Sequence, residues 1–231
     1  MLPLVLLPGM MCDARLFEPQ IAAFSAERAV QVGCLTTADN MRQLAHDVLA
    51  AAPQTFALAG LSMGGIVAME IIRQAPDRVK RIALLDTNPL PEPDDVRKIR
   101  AGHIAQVEAG ELETIMREEL KPNYLADGPC RTDVLDLCMN MAISLGATTF
   151  VQQALAITNR PDQQKTLQQV TVPTLVLMGE SDQLCPLDRH TLMHDLIPES
   201  TLVVIPDAGH LPTLERPALT TQAMQSWLQE N

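Results

Sequence analysis

Short apolar runs recur along this chain, most of them followed by a stretch with helical spacing, and that alternation restricts the fold more than any other feature. Residues 4–7, 55–59, 81–85, 174–178 and 202–205 are almost continuously apolar. Runs this short have strand length, and strands apolar on both faces belong in a parallel sheet covered by helices on each side. A weaker strand is expected over 29–34. Between the runs, residues 40–52 carry Met41, Leu44, Val48 and Leu49 at helical spacing and stop before Pro53. Residues 63–75 stop at Pro76 and 187–196 stop before Pro198, because a proline ring cannot continue the helical hydrogen-bond ladder. A last helix begins at Leu214 or Pro217 and runs to Gln229. Alternation of this kind predicts an α/β fold with a doubly wound, mostly parallel sheet.

The alternation breaks once. From Pro89 to about Gln169 no convincing strand is present. Pro89, Pro91 and Pro93 make a stiff exit, and amphipathic stretches follow at 94–108, 111–120, 131–144 and 148–159 before Arg160-Pro161-Asp162 punctuates the chain. The expected organisation is a core built from 1–88 and 170–231, with a helical cap over 89–169 lying on the carboxyl edge of the sheet.

A chain of 231 residues can bury one sizeable core. Its 47% apolar and 19% charged residues are those of an ordinary globule. The formal charge of −11 argues against nucleic acid or an anionic membrane surface as partner, since both would repel it. The five cysteines (Cys12, Cys34, Cys130, Cys138, Cys185) contain no C-x-x-C pair, so neither zinc nor a redox dithiol is signalled, and a reducing, cytoplasmic setting is expected. The apolar start breaks at Pro8-Gly9 and lacks a basic flank, so it reads as a buried strand rather than a signal peptide or a membrane span.

Gly60-Leu61-Ser62-Met63-Gly64 fits G-x-S-x-G directly between an expected strand and an expected helix, the context in which this motif carries meaning. A strand that turns into a helix this sharply strains the serine backbone and lifts the hydroxyl clear of the sheet. Side chains at Gly60 and Gly64 would collide, and the helix N-terminus offers unpaired N–H groups to a developing negative charge. The alternative is a glycine-rich turn with an incidental serine.

A serine nucleophile needs a base within hydrogen-bond reach. Of the five histidines, His46 lies in a charged helical stretch and His103 in the insertion. His190 and His194 are four apart on one helix, but no third ligand accompanies them, so no metal is expected. His210 follows the last strand on a short turn, at the sheet edge where open α/β folds gather their sites. The imidazole in turn needs a buried carboxylate to fix its tautomer. Asp182, just after the penultimate strand, suits that task. Asp86 at the end of the 81–85 run is the main competitor, Asp207 is expected to shape the turn before His210, and Glu180 to face solvent.

The order Ser62, Asp182, His210 is that of α/β-hydrolases, and the chain resembles that superfamily over nearly its whole length. Leu6-Leu7-Pro8-Gly9-Met10 resembles the oxyanion loop, Gly60 to Gly65 the nucleophile elbow, Pro173 to Asp182 the acid strand, and Ala208-Gly209-His210 with Glu215-Arg216-Pro217 the histidine loop and its helix. Small helix-capped esterases, such as the pimeloyl-carrier-protein methyl ester esterases, and the menaquinone-pathway enzymes of similar design are the most similar families. The resemblance implies an oxyanion hole from the backbone N–H groups of Met10 and Met63. Two departures stand out. Pro8-Gly9 replaces the usual His-Gly, and a first strand beginning near residue 2 leaves no room for the opening antiparallel strands, so a sheet of about six strands is expected.

These readings together imply a serine hydrolase that cleaves a small or medium uncharged carboxylic ester through a Ser-His-Asp triad and an acyl-enzyme, with no metal or organic cofactor and a small-molecule ester as partner. No arginine or lysine is clearly placed for a substrate carboxylate; Arg15 and Arg160 are candidates only. A thioesterase, C–C hydrolase or synthase on the same triad is the first alternative, since one fold hosts many chemistries. A non-catalytic small-molecule receptor is the second. The oligomeric state is not encoded in any visible pattern.

Overall fold

The structure is a computed structural model that describes residues 1–229. Six strands, β1 (Leu4–Leu7), β2 (Val30–Val32), β3 (Phe56–Leu61), β4 (Val79–Leu85), β5 (Thr174–Gly179) and β6 (Ser200–Ile205), form one sheet in the order β2-β1-β3-β4-β5-β6. All five pairings are parallel. This is the α/β-hydrolase fold with a six-stranded sheet and an inserted helical cap region, as the sequence pattern implies.

The helices are α1 (Glu18–Phe24), α2 (Met41–Ala51), α3 (Met63–Gln74), α4 (Asp94–Glu108), α5 (Leu112–Thr114), α6 (Arg131–Thr158), α7 (Gln164–Leu167), α8 (Leu187–Leu196), α9 (Pro212–Glu215) and α10 (Pro217–Gln229). Local chemistry sets their ends. The Asn40 side chain accepts from the Gln43 amide and caps α2. A turn at Ala14–Phe17 and α1 behind it were not expected from the pattern; the Asp13 side chain caps the turn by accepting from the Arg15 amide. Their apolar residues are too few to give a period.

Alternate residues of a strand point to opposite faces, and β1 shows the consequence. Val5 and Leu7 join the core under α2, α3 and α8, whereas Leu4 and Leu6 join the core with Phe17, Phe24 and Trp227 from the α1 and α10 side. A third cluster, including Met116, Met139 and Phe150, holds the cap together over the loop after β1. α6 is long and apolar enough by composition to cross a membrane, with hydropathy 1.5, but Gly146 at φ 78°, ψ 173° interrupts it. Its buried side chains Met139, Ala142, Phe150 and Ala154 are part of the cap core.

The sheet reverses its direction of growth at β1, which has β2 on one side and β3 on the other. The crevice outside the carboxyl ends of strands at such a reversal is where open α/β folds bind ligands. Pro8-Gly9 leaves β1 there, and Ser62 leaves β3 there.

Candidate active site

Ser62 caps α3 with φ 54° and ψ −116°, a left-handed conformation that costs a non-glycine residue energy and aims its side chain off the sheet. The turn closes only because its neighbours lack side chains. A Cβ on Gly60 would lie 2.2 Å from the Gly64 carbonyl oxygen, and one on Gly64 would lie 2.0 Å from that of Leu7. Thr87, after β4, donates its hydroxyl to the Ser62 carbonyl at 2.7 Å and pins the turn from beneath. Met63 is the first residue of α3, so its N–H has no acceptor within the helix. Met10 follows Gly9, whose Cα faces the Ser62 Cβ closely enough that an added Cβ would sit 3.5 Å from it.

His210 Nδ1 lies 2.9 Å from Asp182 Oδ2, and His210 Nε2 lies 2.9 Å from Ser62 Oγ. Since the carboxylate can only accept, the proton is assigned to Nδ1, leaving Nε2 to accept from the serine hydroxyl. The imidazole and both its partners are thus brought together at one rim of the sheet. Asp182 Oδ1 also accepts from the amides of Leu184 (2.8 Å) and Cys185 (3.1 Å). Burial alone would raise its carboxyl, but His210 and these amides hold it below the ordinary value. Asp86, the competing acid, is buried beside it, and its Oδ1 accepts from the Gly179 amide at 2.8 Å. Burial and the Asp182 charge push the Asp86 carboxyl well above the ordinary range.

Contrary to expectation, the site is not a bare Ser-His-Asp triad. The Cys185 thiol joins it, and ligand atoms of Asp182, Cys185 and His210 all lie within 4.8 Å of one another, a Cys-His-Asp cluster beside the elbow. A lone cysteine three residues after Asp182 has no motif to mark it in the sequence; the turn after β5 folds it back against the pair. Its thiol is pushed well above the ordinary value by burial and by the charges of Asp182 and Asp86, so it stays protonated. This is the one cluster of three possible metal ligands among the described residues. A neutral thiol and a carboxylate committed to three N–H donors do not fit a cation.

The other singled-out residues stand apart. His190 is buried and His194 bonds to Ser200 Oγ at 2.7 Å, and neither joins a ligand group. Arg15 pairs with Asp13, Glu180 is exposed, and Asp207 adopts φ 51° in its turn. The wall is also less neutral than expected. A cavity of about 390 Å³ above Ser62 is lined by Met10, Ile66 and Tyr124, but also by Glu92, Arg100 and Arg160.

Three positioning residues were invisible or half-visible in the sequence. Glu215 accepts from the amides of Gly209 and Leu211 on either side of His210, and from Ala126 in the cap. Its only signal was its place after the histidine loop. Gln153 accepts from Met11 N and donates to Leu35 O, tying the loop after β1 to the cap. Thr87 carried no signal at all.

Parallel sheet, strained elbow serine and an imidazole bridging hydroxyl and carboxylate define the class: this is an α/β-hydrolase. The family model described as alpha/beta hydrolase family matches residues 4–223, and the chain belongs to that family. Among curated relatives, it is 26% identical over 239 residues to the pimeloyl-[acyl-carrier protein] methyl ester esterase of Pectobacterium carotovorum, covering 98% of this chain and 94% of that protein. It is 24% identical over 208 residues to the biotin biosynthesis bifunctional protein BioHC of Teredinibacter turnerae, with 83% of this chain covered, and spans only 36% of that longer protein. Among solved structures, a thermophilic esterase from Thermogutta terrifontis with malate bound is 30% identical, with a TM-score of 0.91 over 99% of this chain and 90% of that one. Family and relatives make this an esterase-type hydrolytic enzyme, related to the pimeloyl-carrier-protein methyl ester esterases.

Proposed function

We propose that the enzyme hydrolyses acyl thioesters, with Ser62 as nucleophile, His210 as general base and acid, Asp182 as the carboxylate that orients the imidazole, and the Met10 and Met63 N–H groups as oxyanion donors. The observation that carries the reading is the 2.9 Å contact of Ser62 Oγ with His210 Nε2 inside a cavity walled by four sulfur side chains, Met10, Cys12, Met63 and Cys185. Thioether and thiol sulfur is soft, polarizable and adaptable, so this wall accommodates a bulky, polarizable acyl thioester. The neutral Cys185 thiol then serves as wall beside the Asp182–His210 pair. The named activity of the carrier-protein relatives, methyl ester cleavage on a pimeloyl-[acyl-carrier protein], supports an acyl substrate but not the choice of a thioester bond.

In the reaction Ser62 Oγ attacks the acyl carbon as its proton passes to His210 Nε2, and the C–S bond breaks as the thiol leaves with that proton. Water then attacks the acyl-serine, again losing its proton to His210, and releases the acid. Removing one oxyanion donor costs on the order of a hundredfold in rate. The same reading takes 89–169 as a lid over a core of 1–88 and 170–231, of which the last two residues lie outside the described ones. It sets the enzyme in the cytoplasm, with no nucleic-acid or membrane partner; all five cysteines are free.

The test is hydrolysis of matched thioester and oxygen-ester pairs with the same acyl group, in the intact chain and in Ser62→Ala. The expected result is a higher kcat/KM for the thioester, lost on the order of 10⁴-fold or more in the variant. Fluorophosphonate should label the intact protein at Ser62. Folded protein that takes no label, or that leaves every thioester intact, overturns the proposal; the former would favour a receptor.

A further inference from the structure

Two guanidinium groups share one carboxylate in the cap-side wall of the cavity. Arg100 Nε donates to Glu92 Oε2 at 2.9 Å, and Arg160 donates from its Nη1 to Glu92 Oε1 at 3.0 Å. Glu92 and Arg160 are almost fully buried, and all three residues line the cavity that holds Ser62. The group carries two positive charges against one negative. Burial, with the Arg100 charge adding to it and Glu92 opposing, draws the Arg160 guanidinium below its ordinary value. Isolated charge excess in a poorly solvated wall is costly unless a counter-charge arrives.

The two arginines are not equivalent. Arg160 spends its Nε on the Leu90 carbonyl at 2.7 Å and its Nη1 on Glu92 and Ile157, bracing the chain where the cap rejoins the core. Arg100 spends only its Nε on Glu92, and its Nη1 reaches Met10 Sδ at 3.9 Å, a weak acceptor. Its terminal nitrogens therefore have donors to spare, at the tip of the Met10 side chain. Arg189 also lines the cavity, but it lies beside Asp188 at 3.7 Å.

We propose that Arg100, backed by Arg160 and Glu92, is an anion subsite that selects substrates carrying a free carboxylate a few bonds from the scissile carbonyl, such as the monothioester of a short dicarboxylic acid. One surplus positive charge matches one carboxylate, and the planar guanidinium meets a carboxylate through two parallel N–H donors. A phosphate monoester on the leaving thiol would bring nearly twice that charge. The choice of a thioester rests on the function proposed above; the subsite does not.

Two measurements keep the two ideas separable. In Ser62→Ala, binding of glutarate and of dimethyl glutarate is followed by calorimetry, which needs no turnover. Glutarate should bind at least about tenfold more tightly, and Arg100→Gln in that background should remove the difference while Arg100→Lys restores part of it. In the intact enzyme, kcat/KM for a glutaryl thioester should exceed that for its methyl-capped form by about tenfold or more, mainly through KM, and the ratio should collapse in Arg100→Gln. A third arm compares pantetheine with phosphopantetheine as leaving group. Equal binding of glutarate and its diester, an unchanged ratio in Arg100→Gln, or a ratio that follows the phosphate instead overturns the subsite. Tight glutarate binding without thioester hydrolysis would sink the thioesterase reading and leave the subsite standing.

Discussion

Both carboxylate oxygens of Glu215 lie 2.9 Å from the Gly209 amide nitrogen, so the residue before His210 is fastened to the helix that follows it. Glu215 Oε1 also takes the Leu211 amide at 3.0 Å, and Oε2 takes the Ala126 amide at 2.8 Å. One buried side chain thus fixes the backbone on both sides of the His210 imidazole and ties it to the cap. Glu215→Gln keeps one acceptor and turns the other into a donor facing an N–H. The expected cost is about 1–3 kcal/mol of stability with a loss mainly in kcat, read by urea unfolding beside steady-state kinetics. A variant with unchanged kcat would show that the loop holds His210 without this clamp.

His190 sets an acid limit on stability. It is buried, its Nε2 has no partner, and its imidazole is pushed down to about 4 by burial. Between about 6.5 and about 4 the unfolded chain binds a proton that the folded one refuses, so stability falls as pH falls through that window, by about 3 kcal/mol in all. Urea midpoints at pH 7, 5.5 and 4.5 should decline less steeply in His190→Leu. Parallel declines would place the acid sensitivity elsewhere.

Asp86 acts with the opposite sign. Its carboxyl is raised, so the folded protein keeps a proton that the unfolded chain has already released above the ordinary carboxylate range. That contribution is present at low pH and is lost as pH rises toward the folded value. Asp86→Asn keeps an acceptor for the Gly179 amide and removes the titration. Its stability relative to the intact protein should therefore improve as pH rises above the ordinary carboxylate range, as measured by paired unfolding curves. A constant difference would mean that the Asp86 carboxyl is not raised by folding.

Cys185 should be chemically quiet. The thiolate is the reactive form, and burial with two neighbouring carboxyl groups keeps this thiol protonated. Brief alkylation of folded protein, read by mass spectrometry, is expected to modify the exposed Cys34 and to spare Cys185. Cys185→Ala should keep fluorophosphonate labelling and lower kcat/KM more for a thioester than for its oxygen ester. Rapid alkylation of Cys185, with protection of Ser62 from labelling, would make the thiol the nucleophile.

Much of the frame was legible in the residues. Continuous apolar runs gave five of the six strands, and prolines after 52, 75 and 196 marked where helices stop. The elbow was legible because its motif is compact: Gly60 is forced by the Gly64 carbonyl four residues on, although Gly64 itself is forced by Leu7 of another strand. α1 escaped because seven residues are too few to show a period, and the net charge of the cavity wall escaped because Glu92 and Arg160 are 68 residues apart.

What the chain determined by itself was a covered parallel sheet, a strained serine at a strand end and a histidine on a turn at the same edge, all consequences of neighbours in sequence. Tertiary structure alone decided that Asp182 rather than Asp86 meets His210, that the Cys185 thiol folds in beside them, and that Arg100 and Arg160 converge on Glu92. Those outcomes depend on how distant segments pack, and no pattern within one segment carries that distance.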